Sequence, residues 1–155
     1  MTVVTKKVKD RRAVHYESYD DLLADAERLA AGEVRTLGNW SYGQILNHVA
    51  KSFDSSIDGV GFMLPGPVRL AMKLLMKRRF LTKPIPPGFK TTKAFLPEET
   101  SVDDGLAALR TAIARQGRET ERKMHPAFGR ISNLEWDQFN LRHAEMHMSF
   151  VVPAG

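Results

Sequence analysis

Four serines mark where helices begin in this chain, and those starts restrict its fold more than any other feature. Ser18, Ser41, Ser101 and Ser132 are each followed three residues later by an acid or an amide: Asp21, Gln44, Asp104 and Glu135. A serine at such a position accepts from a free backbone N–H of the first turn, and the residue three on reaches back to the cap. Gln44 and Glu135 match the reciprocal box; the two aspartates are shorter and match less well. Trp40 and Ile131 precede two of the caps and pair with Ile45 and Trp136, as a hydrophobic staple does.

Helices are therefore expected over about 18–31, 41–59, 101–123 and 132–150. A basic amphipathic helix opened by Pro67 is expected over about 67–80. The stretch LTKPIPPGFKTTKAFLPEET holds four prolines and reads as a long loop. Little reads as strand, and there is no internal repeat or low-complexity segment. The expected fold class is all-α: a four-helix bundle with an extra amphipathic helix and a long loop on one connection. Residues 1–15 read as a basic N-terminal tail and 16–155 as one helical-bundle domain.

Composition narrows the chemistry. With 155 residues, 43% of them hydrophobic and 26% charged, the chain suits one soluble domain with a substantial core. No apolar run approaches the roughly 18 residues of a membrane span. The start, MTVVTKKVKDRR, lacks the apolar segment of a secretory signal, so the expected location is cytoplasmic. Cysteine is absent, which removes disulfides, thiolate ligands and a cysteine nucleophile; any soft-metal site must use histidine and carboxylate. The net charge of +5 is concentrated in the N-terminal tail, in KLLMKRRF, and at Arg110, Arg115, Arg118, Arg122 and Lys123. Such charge attracts nucleic acid or anionic lipid, but it more often forms a solvated face, so nucleic acid is not the expected partner.

His143 and His147 stand four apart in RHAEMHMSF, which places both rings on one side of the last helix. Chance supplies such a gap in roughly one chain in eight with this many histidines, so spacing alone decides little. At 100° per residue, Glu135, Gln138, Arg142, Glu145 and Ser149 form a wet face, and Trp136, Phe139, Met146 and Phe150 lie opposite. Both histidines fall in that apolar arc. Two buried imidazoles need partners: a shared metal supplies both, and separate core hydrogen bonds are the alternative. His48 falls off the apolar stripe of its helix, alongside Gln44, Ser52 and Ser55. Periodicity leaves a surface histidine and a cavity-lining one equally open. His125 lines a cleft mouth or caps a loop, and His15 is structural or exposed. Glu145 points to the wet face, and HAEMH lacks the HExxH order that sets a base beside a ligand. No phosphate loop and no GxSxG elbow is present.

Two blocks carry a family resemblance: GNWSYGQILNHVAKSFDSSIDG and HPAFGRISNLEWDQFNLRHAEMHMSF. They resemble the second and last helices of the DinB-like (YfiT-like) superfamily, in a branch described as a domain of unknown function. The resemblance implies a four-helix bundle with His48, His143 and His147 as metal ligands, and nickel or zinc as the ion. It also implies a small-molecule substrate, with low-molecular-weight thiols among the candidates. Helix bundles of this kind often pair, and the apolar stretch over 60–76 offers an interface, so a homodimer is expected. A further histidine expected before the last ligand is Met146 here.

The leading expectation is a metal-dependent enzyme that activates a water or a thiol for transfer to, or hydrolysis of, a small substrate. Asn140 and Gln44 are candidates for orienting ligands or substrate, and arginines near the opening for holding an anionic substrate. Two rivals compete: a non-catalytic binding or regulatory bundle, and a structural dimer with a vestigial site.

Overall fold

The computed structural model of this protein describes residues 2–155. All four serines cap helices. Ser18 opens α1 (Tyr19–Ala30), Ser41 opens α2 (Tyr42–Asp58), and Ser132 opens the last helix, Asn133–Met148. Each makes a complete reciprocal box, with Asp21, Gln44 and Glu135 as the returning side chains. Ser101 caps Val102–Arg118 by accepting from the Asp104 N–H, and there no return bond to the cap N–H forms. The Asp104 carboxylate instead accepts from the Ser101 hydroxyl at 2.8 Å. One aspartate thus closes a full box and the other does not, and each cap is worth about 1 kcal/mol.

Between these elements lie β1 (Val34–Thr36) and two short helices, α3 (Gly66–Leu75) and α4 (Lys77–Thr82). Val102–Arg118 is α5 and Asn133–Met148 is α6; the closing strand is β2 (Val151–Pro153). The described residues are thus mainly helical, compatible with an all-α bundle. One departure is the antiparallel pairing of β1 with β2, with Arg35 opposite Val152. Strands this short carry too little pattern to be read from sequence.

The core lies among α1, α2, α5 and α6, with Leu22, Leu46, Phe53, Leu109, Ala144 and Met148 wholly enclosed. α2 and α5 are the most intimate pair. Gly43 and Gly105 meet at their crossing: a Cβ on Gly43 would overlap the Thr100 carbonyl, and one on Gly105 would come within 2.8 Å of the Gly43 carbonyl.

Three expected boundaries change. The amphipathic helix over 67–80 breaks at Met76 (φ −118°) into α3 and α4. No residue of α3 is buried, whereas Leu81 of α4 is, and α4 packs on α6. α5 stops at Arg118 because Glu119 is extended and the chain turns aside, its Lys123 N–H donating to the Ser56 carbonyl. The Arg122 guanidinium donates to the Gln116 and Glu119 carbonyls, which a continuing helix would use itself. α6 ends at Met148, and Phe150 leads into β2.

The expected wet face of α6 is not wet. Arg142, Glu145 and Ser149 are buried, because the N-terminal segment runs across them. The Tyr16 N–H donates to Glu145 at 2.7 Å, Arg142 donates to the Tyr16 carbonyl, and the Arg12 N–H donates to the Ser149 carbonyl. Polar residues here face another part of the chain and not water, which helical phase alone does not distinguish. Among the described residues no helix is long and apolar enough to cross a membrane.

Candidate metal centre

α2 and α6 pack against one another and bring three imidazoles together. Ring centroids of His48 and His147 are 4.5 Å apart, those of His143 and His147 4.6 Å, and those of His48 and His143 5.3 Å. One nitrogen from each lies within 4.8 Å of the other two, and the three could hold a metal ion. His48 is only 3% exposed, which settles its burial in favour of a cavity wall over a surface histidine.

The hydrogen bonds decide which nitrogens are bare. His48 Nδ1 lies 2.8 Å from the Phe95 carbonyl, which can only accept, so Nδ1 carries the proton and Nε2 a lone pair. His143 Nδ1 lies 3.2 Å from the Ser52 hydroxyl oxygen. That hydroxyl donates its one hydrogen to the Val49 carbonyl, so it accepts from His143, and His143 Nε2 is also bare. His147 Nε2 is 3.1 Å from His143 Nε2, a distance the metal-free protein satisfies by donation from His147. These outer groups are of the kind that orients metal-bound histidines.

The rings are also held neutral. Burial lowers the pKa of His48, an effect that its bond to Phe95 opposes and nearby Lys51 reinforces. Burial, then repulsion from His48, takes His143 down to about 3. His147 is lowered well below the usual value by burial and by its two neighbours. A neutral imidazole is the form that binds a metal. Trp40, fixed just ahead of the Ser41 cap, stacks on His147 at 5.4 Å with planes 15° apart. Phe139 lies parallel to His143 at 6.1 Å.

The histidines face a cavity of about 580 Å³ whose walls are mostly aromatic and aliphatic. Ser52 and Ser55, singled out beside His48 in the sequence, line it; Gln44 does not. The Gln44 side chain is spent on its cap and on the Pro97 carbonyl. Asn140 is buried but donates to the Tyr19 hydroxyl, which donates to Asp137, so it orients neither ligand nor substrate. Glu145, buried with Arg142, is outside the cavity. The expected arginines are absent too: among the described lining residues Lys90 is the one charged side chain.

His125 does both things expected of it. Its Nδ1 accepts from the Ala127 and Phe128 N–H groups, capping a turn that closes at Gly129 (φ +69°), and its ring lines the cavity. Burial lowers its pKa to about 3, so the neutral ring carries its proton on Nε2. His15 is exposed, with its ring 3.2 Å from Glu145. Trp40, Ser52 and the Phe95 carbonyl are the supports that sequence reasoning did not assign. The strip of small residues pointed to Ser52, but nothing in a four-proline loop announces that its backbone returns to His48.

A family model described as "Protein of unknown function (DUF1569)" matches residues 8–154, and the chain belongs to that family. No curated protein and no solved structure matches it. This corrects the resemblance drawn from the two motif blocks: nothing in these comparisons links the chain to the DinB-like superfamily. HxxxH and a Trp-Ser helix start are short patterns, and helix geometry alone produces both. The case for His48 therefore rests on its geometry.

Proposed function

We propose that this protein is a metal-dependent enzyme, with His48, His143 and His147 as the ligands of one divalent ion. The observation that carries this reading is the pair of fixed tautomers. Phe95 and Ser52 accept the Nδ1 protons of His48 and His143 and leave an Nε2 lone pair on each, the one on His143 met by His147 alone. One pair is already at ligand spacing. Metal–nitrogen bonds of about 2.0–2.1 Å at a tetrahedral angle set two nitrogens roughly 3.3 Å apart. The His143–His147 separation is 3.1 Å.

Three neutral nitrogen donors without thiolate or carboxylate suit the imidazole-preferring ions, nickel and zinc among them. Bound there with an open position, such an ion would lower the pKa of a water or a thiol and ready it for attack on a small substrate. The chain's own residues do the rest. The Phe95 carbonyl and Ser52 hold the rings in register, Trp40 and Phe139 buttress them, and the apolar walls exclude bulk water. No carboxylate lines the cavity among the described residues, so the protein places no Asp or Glu base there.

The test is elemental analysis and calorimetric titration of protein purified without a polyhistidine tag. Wild type should bind one zinc or nickel ion per chain at least 100-fold more tightly than His143→Ala/His147→Ala. Ser52→Ala, which leaves the His143 N–H without an acceptor, should bind roughly 10- to 100-fold more weakly than wild type. Equal affinity of wild type and double variant sinks the reading. Hydrolytic or thiol-transfer turnover, once detected, should vanish in the double variant.

A further inference from the structure

The same cavity defines what enters it. Its walls include Trp40, Phe62, Met72, Phe80, Phe89 and Phe139. Lys90, the one charged lining residue, is exposed to solvent. An anion or a cation moved into such a space would lose its hydration with no charged protein group inside to replace it. The serine and asparagine side chains in the wall are already committed. Ser52 donates to Val49, Ser55 donates to the Ser52 carbonyl, and Asn39 exchanges bonds with the Val3 backbone. His125 differs: both backbone bonds fall on Nδ1, and its Nε2–H has no protein partner among the described residues. At about 580 Å³ the space is of the size that encloses a small organic molecule.

We infer that the cavity takes a neutral, predominantly apolar small molecule, with a donor atom at the histidine cluster and a hydrogen-bond acceptor at His125. The first contact rests on the metal-centre reading; the apolar selectivity and the contact with His125 do not. The exposed rim fits the same ligand: Phe89 is 67% and Phe62 46% exposed, so the entrance is apolar as well.

The experiment has two stages. Metal-free protein is titrated with the neutral fluorophore N-phenyl-1-naphthylamine. Micromolar binding is expected, weakened at least tenfold by Phe89→Glu, a rim substitution whose exposure spares the fold. In displacement, 1-acetylnaphthalene should outcompete 1-ethylnaphthalene at least fivefold, through its carbonyl. Zinc-loaded protein is then offered two thiols that differ in charge. Benzyl mercaptan should displace the fluorophore at a concentration at least 30-fold lower than mercaptoacetate. No fluorophore binding, indifference to Phe89→Glu, or equal competition by the anionic thiol overturns the apolar-ligand inference. Equal displacement by the two naphthalenes removes the His125 contact. Fluorophore binding to a protein that takes up no metal leaves the ligand class standing and removes the metal reading, so the two failures are separate.

Discussion

At the scale of single residues, the histidines are governed by groups that would never touch an ion. The Phe95 carbonyl and the Ser52 hydroxyl choose the tautomers, and burial keeps the rings neutral. His125 shows the cost of that burial. An unfolded histidine titrates near 6.5, whereas His125 in the fold does so at about 3. Between those values the unfolded chain holds the extra proton. Stability is therefore full above about pH 6.5 and falls as pH drops, by about 1.4 kcal/mol per unit for this one group. Urea unfolding between pH 7 and 5 should show a gentler loss in His125→Gln than in wild type. The other buried histidines act in the same direction in both proteins, so the difference between slopes is the readout; identical slopes would refute the assignment. The HxxxH pair was legible because helical phase is a local property. The environment of His48 was not, because Phe95 approaches it from a short 3-10 turn (Lys93–Phe95) 47 residues away.

Among the elements, the crossing of α2 and α5 sets where His48 stands. Gly43 allows the closest approach, since any Cβ there meets the Thr100 carbonyl and the Ser101 backbone. Gly43→Ala should destabilise the protein by roughly 2 kcal/mol or more through overpacking. Gly117→Ala, near the end of α5 with nothing within 4 Å of the added methyl, should be neutral or stabilising by up to about 1 kcal/mol. Denaturation curves for the pair check this, and equal effects would contradict it. The helix starts were readable because a serine cap acts within four residues. The breaks at Met76 and Arg118 were not, because packing on α6 and a bond to Ser56 impose them from other parts of the chain.

Across the whole molecule, the N-terminal segment converts α6 from a surface helix into a central one. Arg142 makes two bonds to the Glu145 carboxylate, and Tyr16 adds a third to it through its N–H. Glu145→Gln would leave a buried guanidinium without its countercharge and should cost about 3 kcal/mol. Metal affinity of the folded variant should stay near that of wild type, because Glu145 lies outside the cavity. A thermal melt and a metal titration separate the two effects; a variant as stable as wild type would show that the pair contributes nothing. Much of the surface charge seen in the sequence is similarly engaged. Arg115 bridges Asp54, Asp58 and Glu119, Arg110 meets Glu27, and Lys77 meets Glu135. Sequence alone determined the helical class, the four capped starts and the shared face of His143 and His147, since caps and helical phase act over a turn or two of chain. Only the tertiary structure decided that His48 joins them, that Glu145 is buried, and that the cavity is apolar and almost uncharged. Each of those depends on segments tens of residues apart excluding water from the same place, and no local pattern encodes which segments will meet.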